Sequence, residues 1–548
     1  MISPPFAAER LLFTPASPDR EAIPIVFAFP NTYSVGITSL GYQVVWAMLA
    51  SRPDVQVSRL FTDGAEPLPR SPALLGISLS WELDYANVLS LLEHLAIPLH
   101  ARDRTAAHPL VFGGGPVLTA NPEPFADYFD LVLLGDGEVL IPALIEAYQQ
   151  VRGATRDRVL RHLAQVSGLY VPSLYAVTYV SPDGPIAAIT PGQADVPAQV
   201  TKQTYRGNVL SASTVVTEYA AWESIYMVEV VRSCPELCRF CLASYLTLPF
   251  RTASVTGSLI PAIERGLQVT DRLGLLGASV TQHPEFGDLL DYLDRPDYDQ
   301  VRLSLASVRT NTVTEKLVRT LVKHGAKSIT IAVESGSARI RQIVNKKLEN
   351  EEILAAAVQA QAGGLRSLKL YGMVGIPDEQ MDDLEQTVAM LLSLKQAAPG
   401  LRLTLGCSTF VPKAQTPFQW FGVNPQAAKR LQFLQKKLRP HGIDFRPESY
   451  NWSVIQALIA RGDRRLGHLL ERVRHYGDSL GSYRRAFKEL RGHVPPLEFY
   501  VHEPWSLAQP LPWGHLQGPL SIATLVKHLE ASGVGSHPDT SGHIVGTR

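Results

Sequence analysis

The sequence predicts an α/β protein in three parts: a doubly wound parallel-sheet domain, a partial (β/α)6 barrel, and a mainly helical C-terminal region. Three observations carry this. Short strands, apolar throughout, alternate with amphipathic helical stretches over the first 150 or so residues, as a parallel sheet covered on both faces requires. The alternation gives way to polar, Pro/Gly-interrupted text from about 155 to 220, then resumes from 225 to about 420. After 425 helical periodicity takes over and arginine becomes more frequent. The parts are bounded as 1–200, 201–424 and 425–548.

In the first part the strands are "IPIVFAFP" (23–30), "VQVSRLF" (55–61), "ALLGISLS" (73–80), "PLVFGGG" (109–115) and "DLVLLG" (130–135). Helical stretches such as "YANVLSLLEHL" (85–95) and "GEVLIPALIEAYQQV" (137–151) cover them. The result is a Rossmann-like sheet whose ligand crevice lies beyond the carboxyl ends of its strands. Three loops there contain glycine, which lets backbone approach a ligand: "PNTYSVGITSLG" (30–41), "GGGPVLTANPEPF" (113–125) and "GDGEV" (135–139). Tight strand-to-helix turns explain each loop equally well when it is taken alone. The connecting segment contains a hairpin in "LYAVTYVSPDGPIAAITP".

In the second part the strands are "IYMVEVV", "LGASVT", "VRLSLAS", "SITIAVES", "LKLYGMVGIP" and "LRLTLGCSTF". Six such units make a partial parallel barrel, with function at the carboxyl ends. The third part closes on Pro-rich text (494–519) and a tail, "SGVGSHPDTSGHIVGTR", whose composition predicts disorder.

Bulk numbers exclude several classes. Lys+Arg and Asp+Glu both number 51, so the chain is no bulk binder of nucleic acid or membrane surface. There is no apolar run of spanning length. The start lacks a basic region followed by an apolar one, so a cytoplasmic location is expected. Arg461, Arg464 and Arg465 open a stretch (461–493) with nine Lys/Arg against four Asp/Glu. It reads as a solvated helical face or, in the sharper reading, as a patch facing RNA.

Three of the four cysteines fall in "VVRSCPELCRFCLASY": Cys234, Cys238 and Cys241. So few cysteines in so long a chain do not make a disulfide framework. Structural zinc wants four ligands, commonly as two pairs, and no second pair is present; Cys407 is alone and reads as a small buried residue. A plain electron-carrying [4Fe–4S] cluster also wants four thiolates. Three thiolates on one loop leave one iron open, which suits chemistry better than storage.

CxxxCxxC after the first strand of a (β/α) barrel, with an aromatic residue (Phe240) before the last cysteine, resembles the signature of the radical SAM superfamily. The resemblance implies that Cys234, Cys238 and Cys241 hold a [4Fe–4S] cluster and that S-adenosylmethionine chelates its open iron. One electron, from a reductant such as flavodoxin or ferredoxin, would cleave the sulfonium to methionine and a 5′-deoxyadenosyl radical. "ESGSARIRQIVNK" (334–346), "YGMVGIPDEQMDDLEQT" (371–387) and "FVPKAQTPFQWFG" (410–422) are similar to barrel segments of members that carry an N-terminal cobalamin-binding-type domain. "PNTYSVGITSLG" and 113–138 resemble that domain; "ALIARGDRRLGHLLE" and "PLPWGHLQG" resemble the C-terminal part of one branch.

By the same resemblance, Glu334 and Ser335 end the fourth strand, where polar groups meet the SAM ribose or amino acid portion. Ser335 also suits a helix N-cap. Ser307 and Arg309 fit the SAM carboxylate, Arg by a bidentate contact, with a surface arginine as the competing reading. Gly375 in "GMVGIP" is placed for backbone contact with adenine, or only for a turn. The usual Gly-Gly-Glu after the second strand is replaced by "LGASVTQHPEF", leaving Ser279 or backbone for the SAM amino group. The Asp-x-His-x-x-Gly motif that gives cobalt a histidine is missing; His94, His100 and His108 stand in other settings. Cobalamin, if bound, would therefore lack a protein imidazole, with the loops of Asn31, Tyr33, Gly114 and Asn121 lining its crevice. The expected activity is methyl transfer to an unactivated carbon. The alternatives are a cobalamin-free radical reaction on RNA, a nucleotide or a tetrapyrrole, and a non-enzymatic iron–sulfur scaffold.

Overall fold

The computed structural model describes residues 4–306, 308–477 and 479–534. From residue 535 onward, the tail expected to be disordered lies outside the described residues.

The N-terminal sheet has strands β1 (Ile23–Ala28), β2 (Val55–Leu60), β3 (Leu74–Ser78), β4 (Leu110–Gly114), β5 (Leu131–Leu133) and β6 (Leu169–Tyr170) in the spatial order 2-1-3-4-5-6. The first five run parallel, and β6 closes the edge antiparallel to β5. β1 and β3 are neighbours, and the chain reverses its winding direction between them. In an open sheet of this topology the ligand crevice opens at that switch point, beyond the carboxyl ends. Helices α1 (Leu40–Ala50), α2 (Tyr85–His94) and α3 (Gly137–Gln150) pack on its faces. The buried positions of β1 and β3 alternate between two apolar clusters: Val26 and Ile77 belong to one, Ile25 and Leu74 to the other. This two-sided burial is why the strands read as unbroken apolar runs.

The second part holds seven parallel strands in two arcs. β7 (Ile225–Glu229), β8 (Arg272–Leu276) and β9 (Arg302–Leu305) form one. The other is β10 (Ser328–Glu334), β11 (Ser367–Val374), β12 (Arg402–Thr409) and β13 (Asp444–Pro447). A parallel bridge between Val308 and Ile331 links the arcs, and helix α6 (Met381–Ala397) buries Leu384 and Leu391 in one apolar cluster with Leu370 of β11. The barrel is partial and open, as the sequence predicted. Two details differ. The second strand is Arg272–Leu276, not "LGASVT"; Gly277, at φ +149°, ends it, and Val280–Gln282 coil into one helical turn. β13 adds a seventh strand inside the region expected to be helical.

The C-terminal helices α7 (Tyr450–Arg461), α8 (Leu466–His475), α9 (Leu480–Glu489) and α10 (Ile522–Glu530) bury Ile455, Leu469, Leu470, Trp505 and Trp513. These residues share one apolar cluster with Leu89, Phe125 and Tyr128 of the N-terminal part. The C-terminal region is thus a third layer lying against the N-terminal sheet domain. Among the described residues no helix is long and apolar enough to cross a membrane.

Candidate active site at the cysteine loop and the interdomain cleft

The cysteine loop leaves the carboxyl end of β7 and re-enters regular structure at the short helix α4 (Leu242–Leu246). Four non-glycine residues in and around it adopt left-handed backbone: Ser233 (φ +72°), Leu237 (+53°), Glu334 (+64°) and Asn345 (+57°). Such conformations persist only where the surroundings enforce them, and they gather at functional sites. Here the enforcing element is the segment after α5 (Ala338–Ile343). Asn345 donates through Nδ2 to the carbonyls of Glu236 and Leu237, 2.9 Å each, and the amide of Arg239 donates to Val344 O at 2.9 Å. The Arg239 guanidinium donates to the carbonyls of Gln342, Ile343, His528 and Ala531, which ties the loop to α10.

Cys238 is buried, and desolvation pushes its thiol up to about 12, with Lys346 pulling it down. Burial also raises Cys241, against the amide and hydroxyl of Ser244. Buried thiols held this way stay neutral until a metal supplies compensating charge. Three soft donors on one loop fit an iron–sulfur cluster with one open iron. Phe240 is half-buried and packs with Leu237 and Leu242 against the large apolar cluster.

Several of the expected polar residues gather around this loop. Glu334 ends β10, and its Oε1 lies 3.0 Å from Nζ of Lys346, the ammonium that also acts on Cys238. Arg309 pairs with Glu236 of the loop at 3.2 Å and donates to Lys347 O at 2.8 Å. It is thus neither a surface arginine nor a free guanidinium. Ser279 is buried and bonds to Gln282, whose Nε2 donates to Glu236 at 2.5 Å. Glu236, Gln282, Asn345 and Lys346 were not singled out from the sequence, although the last two close the quoted stretch 334–346. Ser307 lies outside the described residues.

Other residues have local duties instead. Ser335 is buried and accepts from the amide of Ser337; Ser337, not Ser335, caps α5 by accepting from Ile340. The amide of Gly375 (φ +76°) donates to Oε2 of Glu379 at 2.7 Å, so that N–H is engaged in the turn. Burial raises Glu379 to about 7 against this amide and Arg430. Cys407 is buried in β12, as expected of a small core residue.

A cleft of about 450 Å³ lies between the carboxyl ends of the two sheets. One wall comes from Gly41, Ser78, Gly114 and Gly135 of the N-terminal domain; the other comes from Glu229, Arg232, Thr247 and Gly277. Arg232 stands two residues before Cys234, so the cleft adjoins the cysteine loop. Its glycines serve distinct ends. A Cβ at Gly114 would meet nothing nearer than Leu133 Cβ at 3.9 Å and would project into open space. At Gly135 (φ +128°) it would fall 2.0 Å from the carbonyl oxygen of Gln203, so only glycine fits. Asp136 beside it pairs with Arg251 at 2.8 Å, Arg232 at 3.5 Å and Lys202 at 3.8 Å. These cations outweigh its desolvation and hold its carboxyl below the usual range. The network pins the "GDGE" turn to the first barrel strand.

Of the four crevice residues expected, Gly114 alone lines this cleft. Tyr33 is buried with its hydroxyl donating to Glu9 at 2.5 Å, and Asn31 donates to Asp84 at 3.0 Å. Asn121 donates to the carbonyls of Ala460 (3.1 Å) and Gly462 (2.9 Å) in the C-terminal layer. These three fix loops and domain contacts, a correction the sequence could not anticipate without knowing where the third layer lies.

The arginine-rich stretch divides: Arg472, Arg484, Arg485, Lys488 and Arg491 are exposed, as a solvated helical face requires, but its first three arginines are not. Arg461 is fully buried, stacked 3.8 Å over Trp505 and donating to the carbonyls of Tyr500 and Glu503. Arg464 pairs with buried Glu123 at 3.1 Å, and Arg465 with Asp463 at 2.6 Å. All three sit at internal contacts, so they form neither a solvated face nor an RNA patch.

Residues 228–391 match the family described as "Radical SAM superfamily", and residues 65–172 match "Radical SAM proteins, N-terminal". An uncharacterised protein of Methanocaldococcus jannaschii is 25% identical over 456 residues, which is 82% of this chain and 90% of that protein. Among solved structures, the radical S-adenosylmethionine methyltransferase TsrM of Kitasatospora setae, with cobalamin and a [4Fe-4S] cluster bound, superposes with TM-score 0.52. The likeness has 14% identity and covers 73% of this chain and 77% of that one. The cobalamin-dependent S-adenosylmethionine radical enzyme OxsB gives TM-score 0.50 at 13% identity over 93% and 79%. Three thiols at the mouth of an open parallel barrel, inside a segment that matches the superfamily, identify a radical SAM domain in this chain, and its overall fold is that of TsrM and OxsB.

Proposed function

We propose that this enzyme transfers a methyl group to an unactivated carbon, using a [4Fe–4S] cluster on Cys234, Cys238 and Cys241, SAM at its open iron, and cobalamin in the interdomain cleft. When bound, the cluster would supply the electron that cleaves SAM, and cobalamin would supply the methyl group. The reading is carried by one observation: the cleft lies between the carboxyl ends of both sheets and adjoins the cysteine loop.

The lining suits a flat ligand with an amide-bearing rim. Bare backbone at Gly114 leaves room for a planar face, and Ser39, Ser78, Ser80 and Thr119 offer hydroxyls to amides. No histidine is among the lining residues, so cobalt would take no imidazole from this wall. On the cluster side, Glu236 positions Arg309 and Gln282, and Lys346 places a cation beside Cys238 and Glu334. These groups would orient the zwitterionic end of SAM. The electron would come from a cytoplasmic carrier such as flavodoxin or ferredoxin.

Anaerobically purified protein, reconstituted with iron, sulfide and hydroxocobalamin, tests this. About four irons per chain are expected, lost on replacing Cys234, Cys238 and Cys241 with alanine and kept in Cys407→Ala. Corrinoid should survive gel filtration with a spectrum unlike the imidazole-bound form. Under dithionite, SAM should be consumed. If corrinoid washes out while the cluster remains, methyl transfer from cobalamin is wrong; a full cluster in the triple variant removes the assignment altogether.

A further inference from the structure

A second constellation of ligand-type side chains lies away from the cysteine loop, where the C-terminal layer meets the N-terminal domain. His468 and Glu471 stand one turn apart on α8, and residues three apart share a helix face. His100 comes from the segment that follows α2. One ligand atom from each lies within 4.8 Å of the others. Nε2 of His100 is 3.0 Å from Oε1 of Glu471, and the two histidine rings are 5.8 Å apart, centroid to centroid. Nδ1 of His100 is a buried atom without a hydrogen bond, and the buried Oε1 of Glu471 lies against the His100 ring without hydrogen-bond geometry. Tyr128 backs the group: its hydroxyl donates to Gly467 O at 2.7 Å, while burial and the neighbouring Glu471 carboxylate keep it protonated.

We infer that His100, His468 and Glu471 bind a divalent transition cation of the zinc class and that this ion staples α8 to the N-terminal domain. Two imidazoles and one carboxylate suit zinc rather than magnesium or calcium, which take oxygen donors. Three protein ligands leave a fourth position for water, and the exposed His468 ring opens it to solvent. Four-coordinate ligands at ~2.1 Å from zinc lie about 3.4 Å from one another. The ligand atoms, within 4.8 Å of one another, would draw together to reach that spacing. A plain ion pair of His100 with Glu471 would account for neither His468 nor the bare Nδ1.

The test uses cluster-loaded protein equilibrated with Zn2+, desalted, and assayed for zinc and iron together. Wild type should hold one zinc more per chain than His468→Ala or Glu471→Gln, with iron unchanged. Affinity should fall by more than the ~10–100-fold that loss of an outer-shell partner causes. His468 is exposed, so its alanine variant should fold, and zinc should raise the melting midpoint of wild type but not of that variant. The Cys234/Cys238/Cys241 alanine variant should still take up this zinc. Equal zinc in wild type and His468→Ala, or zinc that disappears with the cysteines, would overturn the site.

Discussion

Arg464→Met tests how the third layer is held to the first. Arg464 lies 3.1 Å (Nε) and 3.3 Å (NH2) from the Glu123 carboxylate, and donates to the Tyr170 hydroxyl at 2.9 Å and to Tyr175 O at 3.0 Å. Glu123 is only 1% exposed; burial pushes its carboxyl up, but Arg464 and the hydrogen bond donated by the Tyr170 hydroxyl outweigh that and keep it ionised. Methionine fills similar volume without charge, so the variant strands a buried carboxylate. Removing one member of a buried pair costs about 3–5 kcal/mol. At ~2 °C per kcal/mol for a large cooperative unit, the first melting transition should fall by about 6–10 °C. In the variant the folded pKa of Glu123 rises above its unfolded value. The deficit should therefore be full at pH 8 and shrink as the pH falls and the carboxyl takes up a proton. Adding Glu123→Gln should restore part of the loss at pH 8. Differential scanning calorimetry of the reconstituted protein at pH 6 and 8 reads both effects. A midpoint within 1–2 °C of wild type, or a double variant less stable than Arg464→Met, would refute the reasoning.

Three further outcomes follow from the same geometry. Gly114→Val should fill open space in the cleft and reduce corrinoid retention on gel filtration while leaving iron content unchanged. Gly135→Ala should destabilise the fold by at least about 1–3 kcal/mol, since it adds backbone strain and its Cβ would lie 2.0 Å from a carbonyl oxygen; a melting curve like wild type's would contradict this. His515 is held neutral in the fold, its pKa lowered to about 4 by burial against the pull of Glu123, whereas unfolded it titrates near 6.5. The unfolded chain binds the extra proton between those values, so stability should drop by about 3 kcal/mol as the pH falls from 6.5 to 4. His515→Phe should flatten that part of the pH–stability profile.

Much of the site was legible because its signals are local. CxxxCxxC after "YMVEVV" locates the cysteine loop from spacing and one strand, and the loop stands there. The apolar strands of the first sheet were readable because parallel strands covered on both faces must be apolar throughout. Ser279, Arg309 and Glu334 were reachable for the same reason: each ends or closely follows a strand whose carboxyl end faces the cleft side. Their engagement with Glu236, Gln282 and Lys346 was not, because it depends on three separate strand ends converging.

The sequence by itself determined the order of parts, the two parallel sheets and the place of the three thiols after a strand, since strand period, helix period and cysteine spacing are properties of short windows. Only the tertiary structure decided what Asn121, Tyr33 and the arginines of 461–465 do. Asn121 reaches Gly462 across 341 residues, and Arg464 reaches Glu123 across the same span. In sequence a polar side chain looks the same whether water, a ligand or a distant carbonyl satisfies it. Burying it forces a partner, and which partner depends on where the third layer comes to rest.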